Sequence, residues 1–182
     1  MEILIMKFSL VILLLVFFNS ATQAKQHRWD YMDIGFSDDG LGKGLTFSVA
    51  SNMGDHMFAR ADIWRTKSKT STQPISHLFS FYTAGFQYGI FYTEAGVSQY
   101  DVCWYACAGY SGYIGKLGLS GGSDKLKTRV GAGRLELMEQ QWLVFEADAS
   151  YAFNENFGLS LGIIDLDELG GKVTKFGVRL SW

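Results

Sequence analysis

The chain has 182 residues, enough for one domain, and a formal charge of −2, so it offers neither the basic face that nucleic acid requires nor an acidic tail. Hydrophobic residues make up 48% and aromatic residues 15%, with 21 glycines and one proline, Pro74. That balance disfavours a helical bundle and favours strands joined by tight turns.

Residues 10–18 are an apolar run, preceded by Lys7 and followed by Asn19, Ser20, Ala21, Thr22, Gln23 and Ala24. A basic start, a short apolar stretch and small residues at Thr22 and Ala24 describe a secretory signal peptide over residues 1–24, with cleavage after Ala24. The run is shorter than the roughly 20 residues that a helical anchor needs. Met6-Lys7 would make a more ordinary beginning than Met1-Glu2. Over residues 25–182 no apolar stretch is long enough to cross a bilayer as a helix. Membrane residence there requires a closed barrel, the other architecture that satisfies every backbone group in lipid.

The remaining chain alternates in the way a barrel demands. In residues 29–36, Met32, Ile34 and Phe36 oppose Asp33 and Gly35. Leu45, Phe47 and Val49 follow in residues 44–51, and in residues 57–64 Ala59, Ala61 and Ile63 oppose Phe58, Arg60, Asp62 and Trp64. Residues 78–88 are ambiguous because both faces are apolar. Residues 91–100 set Phe91, Ala95 and Val97 against Tyr92 and Glu94. A loop over residues 101–109 carries both cysteines, and residues 113–120 place Leu117 and Leu119 opposite Lys116. In residues 126–137 the apolar parity flips near Gly131 and Gly133, which a β-bulge would explain. Residues 143–153, 157–163 and 172–182 complete the series. The expected fold is therefore all-β, an antiparallel up-and-down transmembrane β-barrel of about ten strands over residues 25–182, with eight as the alternative.

Tryptophan and charge placement fit that fold. Trp29 and Trp182 fall at one rim and Trp64, Trp104 and Trp142 at the other, as an aromatic girdle at headgroup depth would. Opposite the apolar faces lie Asp33, Arg60, Asp62, Glu94, Lys116, Arg129, Glu146, Asp148, Lys175 and Arg179, together with Lys127, Arg134 and Glu136. Lining a lumen, these nearly balanced charges can pair and close it.

The signal peptide, the hairpin series, strands such as Gly85 to Tyr88 and the terminal F-G-V-R-L-S-W together resemble small bacterial outer-membrane barrels of the outer-membrane-protein-A-like superfamily. The resemblance implies that Trp182, with Phe176, Val178 and Leu180 before it, is read by the barrel assembly machinery. It also implies lipids and lipopolysaccharide of a Gram-negative outer membrane as surroundings.

Cys103 and Cys107 lie in one external loop of an exported chain, so a disulfide is expected; no histidine or further cysteine accompanies them to hold a metal. The histidines are His27, His56 and His77. Ser76 and Ser80 both have the wrong strand parity to hydrogen-bond His77, which argues against a serine hydrolase. Glu146 and Asp148 share a face but read better as ion-paired lumen residues than as a glycosidase pair. No cofactor or catalytic set is expected, and the oligomeric state stays open. Three functions stand: a structural or surface-exposed barrel of the cell envelope, a narrow ion or small-solute pore, and an outer-membrane lipid- or peptide-hydrolysing enzyme. The first is favoured, because side chains fill most of a barrel of this size.

Overall fold

The computed structural model describes residues 29–40, 42–68, 75–166 and 171–182. The expected signal peptide, His27 and residues 69–74 of the connection containing Pro74 lie outside the described residues. Ten strands follow one another: β1 (Tyr31–Asp38), β2 (Gly42–Asn52), β3 (Met57–Ser68), β4 (Ser76–Tyr88), β5 (Phe91–Cys103), β6 (Cys107–Gly122), β7 (Leu126–Leu137), β8 (Gln140–Ala152), β9 (Phe157–Asp165) and β10 (Lys172–Ser181). Each pairs with the next and β10 returns to β1, so the sheet is a closed barrel and the eight-strand alternative falls. Every pairing is antiparallel, from β1 against β2 to the closing pair of β1 and β10. Closure leaves no strand edge unpaired.

Alternation decides which side chains enter. Along β3 Phe58, Arg60, Asp62, Trp64 and Thr66 are buried, while Met57 and Arg65 are exposed. The ambiguous β4 resolves with Phe79, Phe81, Thr83 and Gln87 buried and Tyr82, Phe86 and Tyr88 exposed. Two expectations fail here. The bulge proposed in β7 does not exist: its register is continuous against both β6 and β8. The parity never flips, so Leu135 and Leu137 point inward and are buried, whereas Arg134 and Glu136 point outward and are exposed. Apolar character was a poor guide there because this end of the lumen is itself apolar.

The cysteine loop is the second correction. Cys103 and Cys107 are cross-strand partners, and the disulfide between them reduces the connection to Trp104, Tyr105 and Ala106. Trp29 and Trp182, with the turns after β2, β4, β6 and β8, lie at one rim, called here the terminal rim. The other connections lie at the opposite rim.

At the closing seam Gly35 and Gly177 face each other. A Cβ on Gly35 would meet the Phe176 carbonyl oxygen at 2.0 Å, so the two backbones approach more closely than any side chain permits.

Candidate functional site

Inward positions alone decide what the lumen can do, and they form three layers. The middle layer is ionic. Lys116 and Glu94 are cross-strand partners on β6 and β5, and Lys116 Nζ lies 2.5 Å from Glu94 Oε1 and 2.8 Å from Glu146 Oε2. Arg60 Nη1 donates to Glu94 Oε1 at 3.3 Å and to Glu146 Oε1 at 3.1 Å. Its Nε sits 2.6 Å from Asp62 Oδ2, a charge contact off the hydrogen-bonding direction. Arg129, the cross-strand partner of Asp148, pairs with it and also approaches Glu146 at 3.3 Å. Lys175 Nζ reaches Asp62 Oδ1 at 3.5 Å.

Hydroxyls complete the acceptors. Tyr92 donates to Glu146 at 2.9 Å, Thr83 to Glu94 at 3.1 Å and Ser48 to Asp62 at 2.6 Å. Toward the terminal rim Arg179 forms a two-point pair with Asp33, at 2.7 and 2.6 Å, and donates to Ser150 at 2.8 Å. All ten charges expected in the lumen are thus brought together, five cations against five anions. The closing pair joins residues 146 positions apart in sequence.

The two flanking layers are apolar. Toward the terminal rim Trp29, Tyr31, Ala50, Phe58 and Tyr92 are packed together, with Trp29 stacked on Phe58 at 3.8 Å. Trp29 Nε1 donates to Gln87. Toward the opposite rim Trp64, Phe79, Phe81, Ile114, Leu135, Leu137, Val144, Ile164, Leu166 and Val173 form a buried cluster, against which Tyr100 and Trp142 pack. Cations meet rings at both boundaries: Arg179 lies 3.9 Å from the centroid of Tyr31, Arg129 5.2 Å from Trp29, and Lys175 5.6 Å from Trp64. A void of about 20 Å³ remains beside Tyr31, Ser48, Asp62 and Lys175, room for one water molecule.

The girdle assignment therefore needs correcting. Trp29 and Trp64 are 1% exposed and lie inside the barrel, and Trp142 packs against the inner cluster. Large rings are used there because ten strands enclose more width than small side chains can fill. Trp104 is exposed at the tip of the β5–β6 hairpin, and Trp182 is exposed at the terminal rim. A ring of outward aromatics does exist at that rim, built from Phe86, Tyr88, Phe91, Tyr151, Phe157 and Trp182. Phe91, Tyr151 and Phe157 lay on strands whose apolar face the alternation had identified, whereas Phe86 and Tyr88 lay on the ambiguous β4.

Above this ring Ile34, Phe36, Leu45, Leu117, Phe145, Leu161, Phe176 and Val178 are all exposed. A wall so apolar around an ionic interior inverts the polarity of a water-soluble protein, and it is the distribution a barrel in a bilayer requires. The residues weighed for catalysis do not assemble. His77 Nδ1 meets the Tyr100 hydroxyl at 2.8 Å, while Ser76 accepts from Arg65 Nε. Among the described residues no group of His, Cys, Asp and Glu could hold a metal.

No family model matches the chain, and no curated protein matches it. Among solved structures the chain is similar to the translocator domain of autotransporter NalP from Neisseria meningitidis, at 12% identity and a TM-score of 0.43, covering 90% of this chain and 92% of that one.

Proposed function

We propose that the protein is an integral outer-membrane β-barrel whose lumen is closed, serving a structural or surface role in the cell envelope rather than solute passage. The observation that carries this reading is the layered lumen, in which buried charges are paired and capped by apolar side chains at both ends. An ion entering the middle layer would have to break pairs such as Arg60 with Glu146, each lost at a cost of several kcal/mol. Among the described residues the serines and His77 weighed for catalysis do not assemble, and no group of His, Cys, Asp and Glu could hold a metal.

Export by way of the signal peptide and insertion by the barrel assembly machinery, which would read Phe176, Val178, Leu180 and Trp182, belong to the same proposal. Short turns face the periplasm in bacterial barrels of this kind, which sets the terminal rim there and the disulfide-pinned hairpin outside. Trp104 and Tyr105, 62% and 77% exposed, then give the hairpin an aromatic tip for surface contact.

Planar-bilayer conductance of the refolded chain tests the closed lumen. The expected record has no sustained steps. Reproducible ion-selective steps that vanish when Arg60 and Asp62 are neutralised would establish the pore instead.

A further inference from the structure

Among the described residues, the outward cations near the opposite rim on β7 and β10 stand singly with an acid near them, whereas those on β2 and β3 gather against one another. Lys172 stands across from Asp165, and Arg134 shares the outer face of β7 with Glu136. On β2 and β3, Lys43 and Lys67 are direct cross-strand partners, and Arg65 follows on the same outward face. All three are exposed. Among the described residues Arg65 donates a side-chain hydrogen bond to Ser76 alone. Asp38, across from Lys43 on β1, caps its own turn by accepting from the Gly40 amide at 2.9 Å. Among the described residues none of the three cations forms an ion pair. Like charges placed directly opposite on a sheet repel, so this patch is left wanting an anion.

The same wall is hollow below the patch. A groove of about 580 Å³ lies on the outside of β2 to β5, lined by Val49, Ala59, Ala61, Tyr82, Ala84 and Ala95. Alanines stand where the neighbouring wall carries Leu45, Phe86 and Phe91, and that difference in size makes the hollow. Ala61 and Arg65 project from the same face of β3 four residues apart, roughly 13 Å along the strand. One amphiphile can bridge that distance, with its anionic head at the rim and a chain in the groove.

We propose that this wall binds a phosphate-bearing lipid, its phosphate held by Lys43, Arg65 and Lys67 and one acyl chain laid in the alanine groove. The site rests on the membrane reading above and adds a ligand class and an address to it. Phosphate suits the three cations because its oxygens can accept from several donors at once.

The test uses the full chain refolded into phosphatidylcholine vesicles and then extracted into neutral detergent for native mass spectrometry with lipid A, dephosphorylated lipid A or inorganic phosphate. Lipid A is expected to bind at least tenfold more tightly than its dephosphorylated form. The Lys43→Gln, Arg65→Gln, Lys67→Gln triple variant is expected to lose that preference, and Ala61→Phe with Ala84→Phe to weaken lipid A about tenfold. Each variant must still shift in mobility between unboiled and boiled samples, which shows that it has folded. Equal binding of the two lipid A forms, or an unaffected triple variant, overturns the site. Unchanged binding in a folded groove variant overturns the lipid assignment in favour of a bare anion patch, as does inorganic phosphate displacing lipid A at matched concentration. A chain that stays outside the vesicles defeats the membrane reading as well, whereas an inserted chain that fails to discriminate defeats only the site.

Discussion

Glu146 is the residue on which the ionic layer turns, because Arg60, Lys116, Arg129 and the Tyr92 hydroxyl all meet its carboxylate. Its side chain has no exposure to solvent. Glu146→Gln keeps the shape and removes the charge, leaving three cations to share the remaining carboxylates. The expected loss is about 3–5 kcal/mol, the range for breaking a buried ion pair. Urea unfolding of the vesicle-embedded chain measures it, and a change under about 1 kcal/mol would show that the neighbouring carboxylates compensate. Trp29 is the corresponding residue of the layer at the terminal rim. Trp29→Ala removes a fully buried ring stacked on Phe58 and is expected to lower stability by about 3–5 kcal/mol in the same assay.

At the level of strands and turns, the β7–β8 connection carries strain that the ladder overrides. Met138 and Glu139 both have positive φ, 54° and 60°, in a two-residue hairpin turn of the kind that favours Asn-Gly. Replacing them as Met138→Asn with Glu139→Gly is expected to stabilise the barrel by about 1–2 kcal/mol, read as a higher urea midpoint with an unchanged slope. The strands themselves were legible from the sequence. Alternation gave ten of them and put the ten principal charges inside, because side-chain period and burial are the same information in a sheet with one polar face. What misled was the assumption of one face for each polarity. Leu135 and Leu137 are apolar and inward, Arg134 is charged and outward, and near the opposite rim both rules reverse. The bulge was an artefact of that reversal. Tryptophan misled for a related reason: a ring at a strand end fits a headgroup belt or a lumen cap equally well, and only parity separates them. Trp64 shares its face with Arg60 and Asp62, a signal present in the sequence. Height along the barrel was beyond reach, because it depends on register between strands far apart in the chain.

Over the whole molecule, the described side chains stack three layers inside one wall, an ionic layer between two apolar ones. The apolar exterior is continuous from the aromatic ring at the terminal rim to the charged residues near the opposite rim. Deleting Trp182 removes one member of that ring and the terminal residue of the expected assembly signal. Insertion in cells should fall severalfold, measured as the fraction showing a heat-dependent gel shift, while the purified variant should refold into detergent nearly as well as the parent. Equal insertion with and without Trp182 would separate the ring from any recognition role.

The seam between β1 and β10 also dictates an order of events. Nine of the ten strand pairings join neighbours along the chain and can form by short hairpins or short loops, whereas Asp33 cannot meet Arg179 until 146 residues have been delivered. Closure is therefore the slow, high-contact-order step, in which the entropy of bringing distant strands together must be overcome before any pairing is gained. Until then the sheet has two raw edges able to recruit another chain. A chain stalled short of β10 is thus not a slightly weakened barrel but an open template for aggregation, and the narrow Gly35–Gly177 junction is the latch that ends that exposure.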